Sequence, residues 1–295
     1  MEIFVEAGYE VTAHPTQKPQ DGLNKTRNYA DEYDLIVCSG GDGTLNEIVN
    51  GMIARQKRAP IGYIPAGTTN DFAKSMGIPR NMLQAARIAV GGNSFRRDVG
   101  KFNDQFFTYV AAFGIFTDVS YETDQDVKNV IGHLAYVLEG AKRVFNVPSV
   151  AAKVTCDELE MEDEFILAMV TNALSVGGIK GLVIEDAIFN DGLFEVSLIK
   201  RPKNPKELND IISAIVLKSI NSDIVTSFKS NRIEFEFEEP IRWTLDGEFG
   251  GNHKHVVIEN QKELLEFMIP SELHLELEAE DDVREEKTQL IHPFF

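Results

Sequence analysis

The segment CSGGDGTLNEIVNG at residues 38–51 constrains the fold more than any other part of the chain. It follows a short apolar run at residues 34–38, of the kind found in buried parallel strands. Apolar residues then recur at i, i+3, i+4, i+7 and i+8, which predicts one face of an amphipathic helix: Leu45, Ile48, Val49, Met52 and Ile53. The glycines are therefore predicted to lie in a strand-to-helix turn.

A turn of this kind is suited to binding phosphate. The first N–H groups of the helix lack intrahelical partners, and the helix dipole adds partial positive charge there. Gly40, Gly41 and Gly43 have no Cβ to keep a phosphate from the backbone. A tight turn without a ligand is the simpler alternative. Two adjacent glycines followed by Asp42, Gly43 and Thr44 exceed what a turn requires, so we favour a nucleotide or phosphate site.

Composition and charge exclude several classes of protein. With 295 residues, 43% hydrophobic and 26% charged, the chain is long enough for two globular domains. No apolar run approaches the roughly 18 to 20 residues that span a bilayer. Two cysteines suggest neither a disulfide framework nor a metal site, so we expect a cytoplasmic protein. The net charge of −18 argues against nucleic-acid binding, which needs Lys and Arg.

The pattern of elements divides the chain into two domains. Residues 1–97 alternate strand and helix, with an opening helix and strands near Tyr9–Ala13, Asp34–Cys38 and Ile61–Ile64, which predicts a parallel sheet. Residues 98–266 contain many segments of period-two alternation, most regularly RIEFEFEEP at residues 232–240, which predicts a mainly antiparallel second domain.

Two helices and a tail complete this division. One helix is predicted through residues 127–145 and another after Asn204. Residues at about 267–276 are expected to rejoin the first domain. From Glu272 to Glu286 there are eight acidic residues and one Arg, so residues 277–295 are predicted to form a solvated acidic tail.

A second glycine turn is predicted in IPAGTTNDFAKSMGIP, residues 64–79. Thr68, Asn70 and Asp71 could simply cap the short helix that follows. Because the carboxyl ends of parallel strands share one edge, this turn and the first one could also face a single ligand. The sequence leaves both interpretations open.

Five stretches together make the chain resemble the bacterial diacylglycerol kinase family of lipid kinases, relatives of sphingosine and ceramide kinases. They are GGDGTLNEIVNG, IPAGTTNDFA, DVGKFNDQFF, NDGLFEV at residues 190–196 and LDGEFGG at residues 245–251. They occur in the family's order from Gly8 to about Pro270. The resemblance implies an α/β nucleotide domain, a β-sandwich-like second domain and an active site in the cleft between them.

The resemblance also implies a reaction and its residues. ATP is the phosphate donor, Mg²⁺ the cofactor and diacylglycerol the acceptor, with phosphatidate as product. Either Glu248 or Asp246 would accept the hydroxyl proton, and the choice stays open. Asp191 with the carbonyls of Ile188 and Leu193 would bind a structural Mg²⁺. The residues assigned to ATP are Thr16, Gly40, Gly41, Asp42, Gly43, Thr44, Leu45, Asn46 and Thr68.

Simple chemistry agrees with these roles. Phosphoryl transfer needs positioning, charge stabilisation and a carboxylate for the nucleophile, and Mg²⁺ prefers oxygen ligands. Taken alone, Asn190-Asp191-Gly192 is a common hairpin turn and Asp246-Gly247-Glu248 a surface turn. No G-x-x-x-x-G-K-[ST] motif occurs, so the chain is not a P-loop kinase.

Two alternative functions remain. NAD kinase shares the GGDGT loop, but here Asn46 and Glu47 continue that loop directly and PAGTTNDFA follows, which favours the lipid branch. A non-catalytic nucleotide- or lipid-binding regulator is the other alternative. We expect such a protein to have lost the carboxylates Asp191, Asp246 and Glu248, and all three are present.

The acceptor and the N-terminus lead to two further expectations. A lipid substrate implies transient contact with the inner membrane face, for which the best basic candidates are Lys142, Arg143, Arg201, Lys203 and Lys206.

The opening residues have helical spacing up to Gly8, where a helix C-cap belongs. We therefore expect the family's first strand to lie upstream, and its loss to expose a sheet edge that could support a homodimer.

Overall fold

The computed structural model describes residues 1–115, 148–157, 159–174, 176, 187–204, 206–208, 210–211, 224–275 and 277. Within these residues an α/β first half precedes a second half built mainly of antiparallel strands, so the predicted fold class is confirmed. The helix predicted through residues 127–145 and the acidic tail beyond residue 277 lie outside the described residues, as do Lys142 and Arg143.

The first half contains two parallel strands with helices around them. Ile36 of the first strand lies opposite Ile61 of the second, and the helix between them carries the chain back to start the second strand. The carboxyl ends of both strands therefore lie at one edge of the sheet. The elements are α1 Glu2–Glu6, α2 Asp21–Tyr29, a 3₁₀ turn Ala30–Glu32, β1 Ile36–Gly40, α3 Asp42–Ile53, β2 Ile61–Pro65, α4 Asp71–Ser75 and α5 Met82–Gly91.

The α3 helix forms where the sequence predicted it. Leu45, Val49 and Met52 of its apolar face are fully buried in the core, and Ile53 is partly buried. Its polar face holds the start of α2, because the carboxylate of Glu47 accepts hydrogen bonds from the N–H groups of Gln20 at 2.7 Å and Gly22 at 3.0 Å. Packing on two faces fixes the direction in which the N-terminus of α3 points.

The prediction of a strand near Tyr9–Ala13 is wrong. After α1 the chain turns at Gly8, with φ of 87°, and residues 9–17 form no regular element. A strand requires a backbone partner, and among the described strands β1 pairs only with β2. Val11 of this segment and Val37 of β1 both line a cavity of about 1050 Å³.

The second half is a set of antiparallel strands. Their bounds are β3 Asn93–Phe102, β4 Gln105–Phe107, β5 Val110–Gly114, β6 Val150–Cys156, β7 Leu159–Thr171, β8 Phe194–Lys200, β9 Val225–Ser230, β10 Arg232–Leu245 and β11 Glu248–Ile269. They continue the sheet of the first half in the order β1-β2-β11-β10-β5-β7-β8-β9, with β3 beside β11, β4 beside β3, and β6 between β10 and β7.

An aromatic cluster holds β10 in place. Ile233 and Phe235 face the core, as their period-two alternation predicted. The Trp243 ring lies 5.2 Å from Phe235, 4.9 Å from Phe113 and 5.0 Å from Phe102, measured between ring centroids. Such pairs add about 0.5–1.5 kcal/mol each beyond their buried area. The cluster therefore fixes the end of β10, from which the LDGE turn begins.

The long strand β11 joins the two halves. It is antiparallel to β10 and to β3. Near its end Phe267 lies opposite Ile61 of β2 in a parallel pairing. One sheet thus runs through both halves among the described residues, and it brings the start of β11 close to the first half.

Candidate active site

The first component of the site is the first glycine turn, residues 40–44. β1 ends at Gly40 and α3 begins at Asp42, with Gly41 as an N-cap that offers no capping side chain. A Cβ on Gly40 would lie 2.8 Å from both Cβ and Oγ1 of Thr44, so a side chain is excluded there. The start of α3 therefore presents backbone donors of the kind that bind phosphate.

The second glycine turn, residues 66–70, packs directly on the first. A Cβ on Gly67 would lie 2.6 Å from the Cα of Gly41, so the two turns touch backbone to backbone. Asn70, with φ of 51°, stabilises this turn. Its Oδ1 accepts from the Gly67 N–H at 3.1 Å, and its Nδ2 donates to the Gly67 carbonyl at 2.6 Å.

We expect Gly67→Ala to weaken nucleotide binding by roughly tenfold or more, because forced overpacking costs about 1–3 kcal/mol. The added methyl group must push the two glycine turns apart. The measurement is the Kd of ATP by titration calorimetry. The control is Gly91→Ala, since a Cβ at that position in α5 meets open space. Unchanged affinity in Gly67→Ala would show that the contact between the turns does not shape the site.

Asp42 is the carboxylate of the first glycine turn, and it reaches towards the second. Its Oδ2 accepts from the Asp71 N–H at 3.0 Å, and the Tyr63 hydroxyl lies 3.5 Å from its Oδ1. Burial raises the pKa of Asp42 to about 7, and the negative charges of Asp71 and Asp246 act in the same direction. Asp42 thus links α3 to α4 and can bind a proton or a cation near neutral pH.

The third component is the Asp-Gly hairpin, residues 245–248, between β10 and β11. Asp246 and Gly247 have φ of 50° and 84°, as in the type I′ turn typical of Asp-Gly. Asp246 is only 2% exposed. Its carboxylate accepts hydrogen bonds of 2.7–3.1 Å from the N–H groups of Thr108, Tyr109 and Val110, the hydroxyl of Thr108 and the Nδ2 of Asn46.

The two candidate bases have different surroundings. Burial raises the pKa of Asp246, while hydrogen bonds from the Thr108 and Tyr109 N–H groups act in the opposite direction. Protein N–H and O–H groups hydrogen-bond both oxygens of the Asp246 carboxylate. Glu248 is exposed and lies over the start of α3, where a Cβ on Gly43 would be 2.7 Å from its Oε1. Of the two, Glu248 is therefore the one accessible to a substrate.

Asn50 is a site residue that the sequence reasoning missed. Its side chain bonds both backbone groups of Phe106, accepting from the N–H at 3.1 Å and donating to the carbonyl at 3.0 Å. Its Nδ2 also donates to Oδ1 of Asn46 at 3.1 Å, and Nδ2 of Asn46 donates to Asp246 Oδ2 at 2.8 Å. The available signal was spacing, because Asn46 and Asn50 are i and i+4 on one face of α3.

Three of the residues assigned to ATP, Leu45, Thr68 and Thr16, lie in different surroundings. Leu45 lies on the core face of α3, where its side chain is fully buried and its N–H donates to the Gly41 carbonyl at 3.1 Å. The apolar periodicity of α3 already placed it on the core face. Thr68 is exposed on the second glycine turn. Thr16 is exposed in the segment after α1 and lines the same cavity as Thr44.

The turn that contains Asp191 is held by contacts with strands β3 and β9. Asp191 Oδ1 accepts from the Leu193 N–H at 2.9 Å, and its Oδ2 lies 3.4 Å from Nζ of Lys229. Gly192, with φ of 84°, donates to Asp98 Oδ2 at 2.7 Å, which ties the turn to β3. The carboxylate is thus fixed in a turn, with an ammonium group beside it.

Two family models match consecutive parts of the chain. Residues 1–102 match the diacylglycerol kinase catalytic domain, and residues 110–270 match the YegS C-terminal NAD kinase beta sandwich-like domain. The diacylglycerol kinase of Bacillus subtilis (strain 168) is 34% identical over 274 residues, which are 89% of this chain and 90% of that protein. The diacylglycerol kinase of Staphylococcus carnosus (strain TM300) is 34% identical over 248 residues, 83% of this chain and 80% of that protein.

Solved structures share the fold. One chain from Bacillus anthracis str. Sterne has a TM-score of 0.75 at 27% identity and covers 90% of this chain and 89% of its own length. An NAD kinase from Archaeoglobus fulgidus in complex with ATP has a TM-score of 0.51 at 13% identity, covering 90% and 86%, which shows the fold alone. Since both models match in order and the relatives match along nearly the whole length, this chain belongs to the bacterial diacylglycerol kinase family.

Proposed function

We propose that the protein is an ATP-dependent lipid kinase that transfers the γ-phosphate of ATP to the hydroxyl group of diacylglycerol, giving phosphatidate. The observation that carries the proposal is the position of the Asp-Gly hairpin on the first turn of α3. Asn46 of α3 bonds Asp246 at 2.8 Å, and Glu248 lies over Gly43. A helix terminus suited to phosphate and an accessible carboxylate thus face the same space.

Glu248 accepts the proton of the substrate hydroxyl in this mechanism. The hydroxyl oxygen forms a bond to the γ-phosphorus, while the bond from that phosphorus to the bridging oxygen breaks and its electron pair leaves with ADP. The amides at the start of α3 hold the phosphates next to Gly40, Gly41 and Gly43. Asp246 keeps the hairpin and Asn46 in position without touching the substrate.

The donor groups around Asp191 are of the type that Mg²⁺ takes. One carboxylate with the turn carbonyls of Ile188 and Leu193 supplies hard oxygen ligands. The neighbouring ammonium of Lys229, 3.4 Å from Asp191, would have to share that carboxylate with the ion. We propose that these residues hold a structural Mg²⁺, while Mg²⁺ bound with ATP supplies charge neutralisation of the phosphates.

We also propose brief contact with the inner membrane surface, where the acceptor lipid resides. Among the helices described, none has both the length and the apolar character to cross a bilayer. Phe249, directly after the proposed base, is 59% exposed and offers an apolar contact. Lys203 and Lys206 are exposed, whereas Arg201 is bound to Glu164 at 2.7 Å and is a weaker candidate for binding anionic lipid.

The test of the proposed function is an ADP-release assay with separate acceptors at a micelle surface. We expect turnover with diacylglycerol, none with NAD, and loss of turnover when EDTA removes Mg²⁺. Faster turnover with ceramide, sphingosine or undecaprenol would replace the acceptor and keep the reaction class. Phosphorylation of NAD alone would identify an NAD kinase, and ATP binding without turnover on any acceptor would identify a regulator.

A further inference from the structure

Arg97 of β3 is fully buried, although a charged guanidinium normally stays in water. Its central carbon lies 4.9 Å from the ring centroid of Phe72 and 4.5 Å from that of Phe189. Its Nη2 donates to the carbonyl of Thr108 at 3.3 Å and to the carbonyl of Asn172. Burial lowers the pKa of Arg97 to about 10, so the group stays charged at neutral pH.

A single peptide group connects Arg97 to Asp246. The Thr108 carbonyl that accepts from Arg97 belongs to the same peptide as the N–H of Tyr109. That N–H donates to Asp246 Oδ1 at 2.9 Å. The peptide therefore has its oxygen towards a cation and its hydrogen towards an anion, and polarisation in this direction strengthens both hydrogen bonds.

The surroundings of Asp246 contain several carboxylates. Negative charge near it disfavours its ionised form, whereas the attraction between Arg97 and Asp246 favours the charged form of both. Asp71 has its own cationic partner, since Lys74 Nζ lies 3.3 Å from its Oδ1. The titratable groups around Asp246 and Arg97 are Asp42, Asp71, Lys74, Tyr63 and Tyr109, together with Asp98 and Glu195, whose negative charges also favour the charged form of Arg97.

We propose that Arg97 is a positioning residue for phosphoryl transfer, whose buried charge acts through the Thr108–Tyr109 peptide to hold Asp246 ionised and in place. Asp246 in turn holds Asn46 and the start of the hairpin that carries Glu248. The inference rests on the proposed role of Glu248 in lipid phosphorylation. Without the positive charge, Asp246 takes up a proton more readily, and its protonated oxygen then faces hydrogen-bond donors.

The test compares Arg97→Lys with Arg97→Gln, because Gln has no charge and Lys keeps it. A third variant, Arg97→Met, fills the space between Phe72 and Phe189 with an apolar chain. We expect the acid limb of the pH profile of kcat to move to higher pH by about one unit in the neutral variants, as for loss of a nearby opposite charge. Arg97→Lys should retain most of the wild-type profile, and KM for ATP should change less than about twofold.

Arg96→Gln is the matched control, since Arg96 is the exposed neighbour on the same strand and its loss should leave the profile unchanged. An unmoved acid limb in a folded neutral variant would overturn the proposal and leave Arg97 a structural residue. Failure of both neutral variants to fold, with a folded Arg97→Lys, would also overturn it, because the charge would then serve folding. Absence of lipid phosphorylation by the wild-type protein would instead refute the proposed function.

Discussion

Glu248→Gln lowers kcat for lipid phosphorylation by about 10²–10⁴, the usual contribution of a general base. The amide keeps the size and exposure of the side chain and cannot accept the hydroxyl proton. The Kd of ATP stays near the wild-type value, because a base acts in the transition state rather than in nucleotide binding. Single-turnover kinetics and ATP titration on the same preparation measure both quantities.

Glu239→Gln is the control for this experiment. Glu239 is an exposed carboxylate of β10 whose nearest ionic partner is Lys254 at 3.5 Å. Its replacement removes one negative charge without touching the site, so kcat should be unchanged. A loss smaller than about tenfold in Glu248→Gln would exclude this residue as the base.

Asp246→Asn lowers the free energy of unfolding by roughly 2–6 kcal/mol. Each oxygen of the buried carboxylate accepts at least two hydrogen bonds, and the amide NH₂ that replaces one of them faces those donors. A buried donor left without an acceptor costs about 1–3 kcal/mol. Against a typical total stability of about 5–15 kcal/mol, this variant approaches unfolding at ordinary temperature.

Urea unfolding at neutral pH measures this loss as a shift of the midpoint. The control is Asp104→Asn, which makes the same change at an exposed turn between β3 and β4. Wild-type stability combined with a large loss of kcat in Asp246→Asn would reverse the assignment and make Asp246 the base. The pair Asp246→Asn and Glu248→Gln thus separates two roles that the sequence could not separate.

Local patterns predicted much of this structure. The glycine turn before α3 has a strand pattern on one side and a helix pattern on the other, and each pattern reports burial directly. The hairpin at Asp246-Gly247 could be predicted equally well from the sequence, because few residue pairs adopt positive φ at two consecutive positions. The alternation of Ile233 and Phe235 showed which face of β10 packs inwards.

Features that depend on distant partners escaped prediction. Residues 9–13 have the composition of a strand, but a strand exists only with a backbone neighbour, and β1 pairs with β2 and not with this segment. Arg97 sits beside Arg96, and nothing local shows that one guanidinium is buried between two rings while the other meets solvent. The different exposure of Asp246 and Glu248 likewise arises from how β4 and β5 pack on the hairpin.

The length of β11 has a mechanical consequence. Its 22 residues run from Glu248 at one end to Ile269 at the other, and Phe267 is paired with Ile61. A hinge rotation between the halves would have to break that pairing or bend the strand at Glu263, where φ is 48° and the register shifts. The distance between Glu248, the proposed base, and the glycine turn before α3 is therefore set when the chain folds. We expect an arriving lipid to adjust its own position to this preformed arrangement.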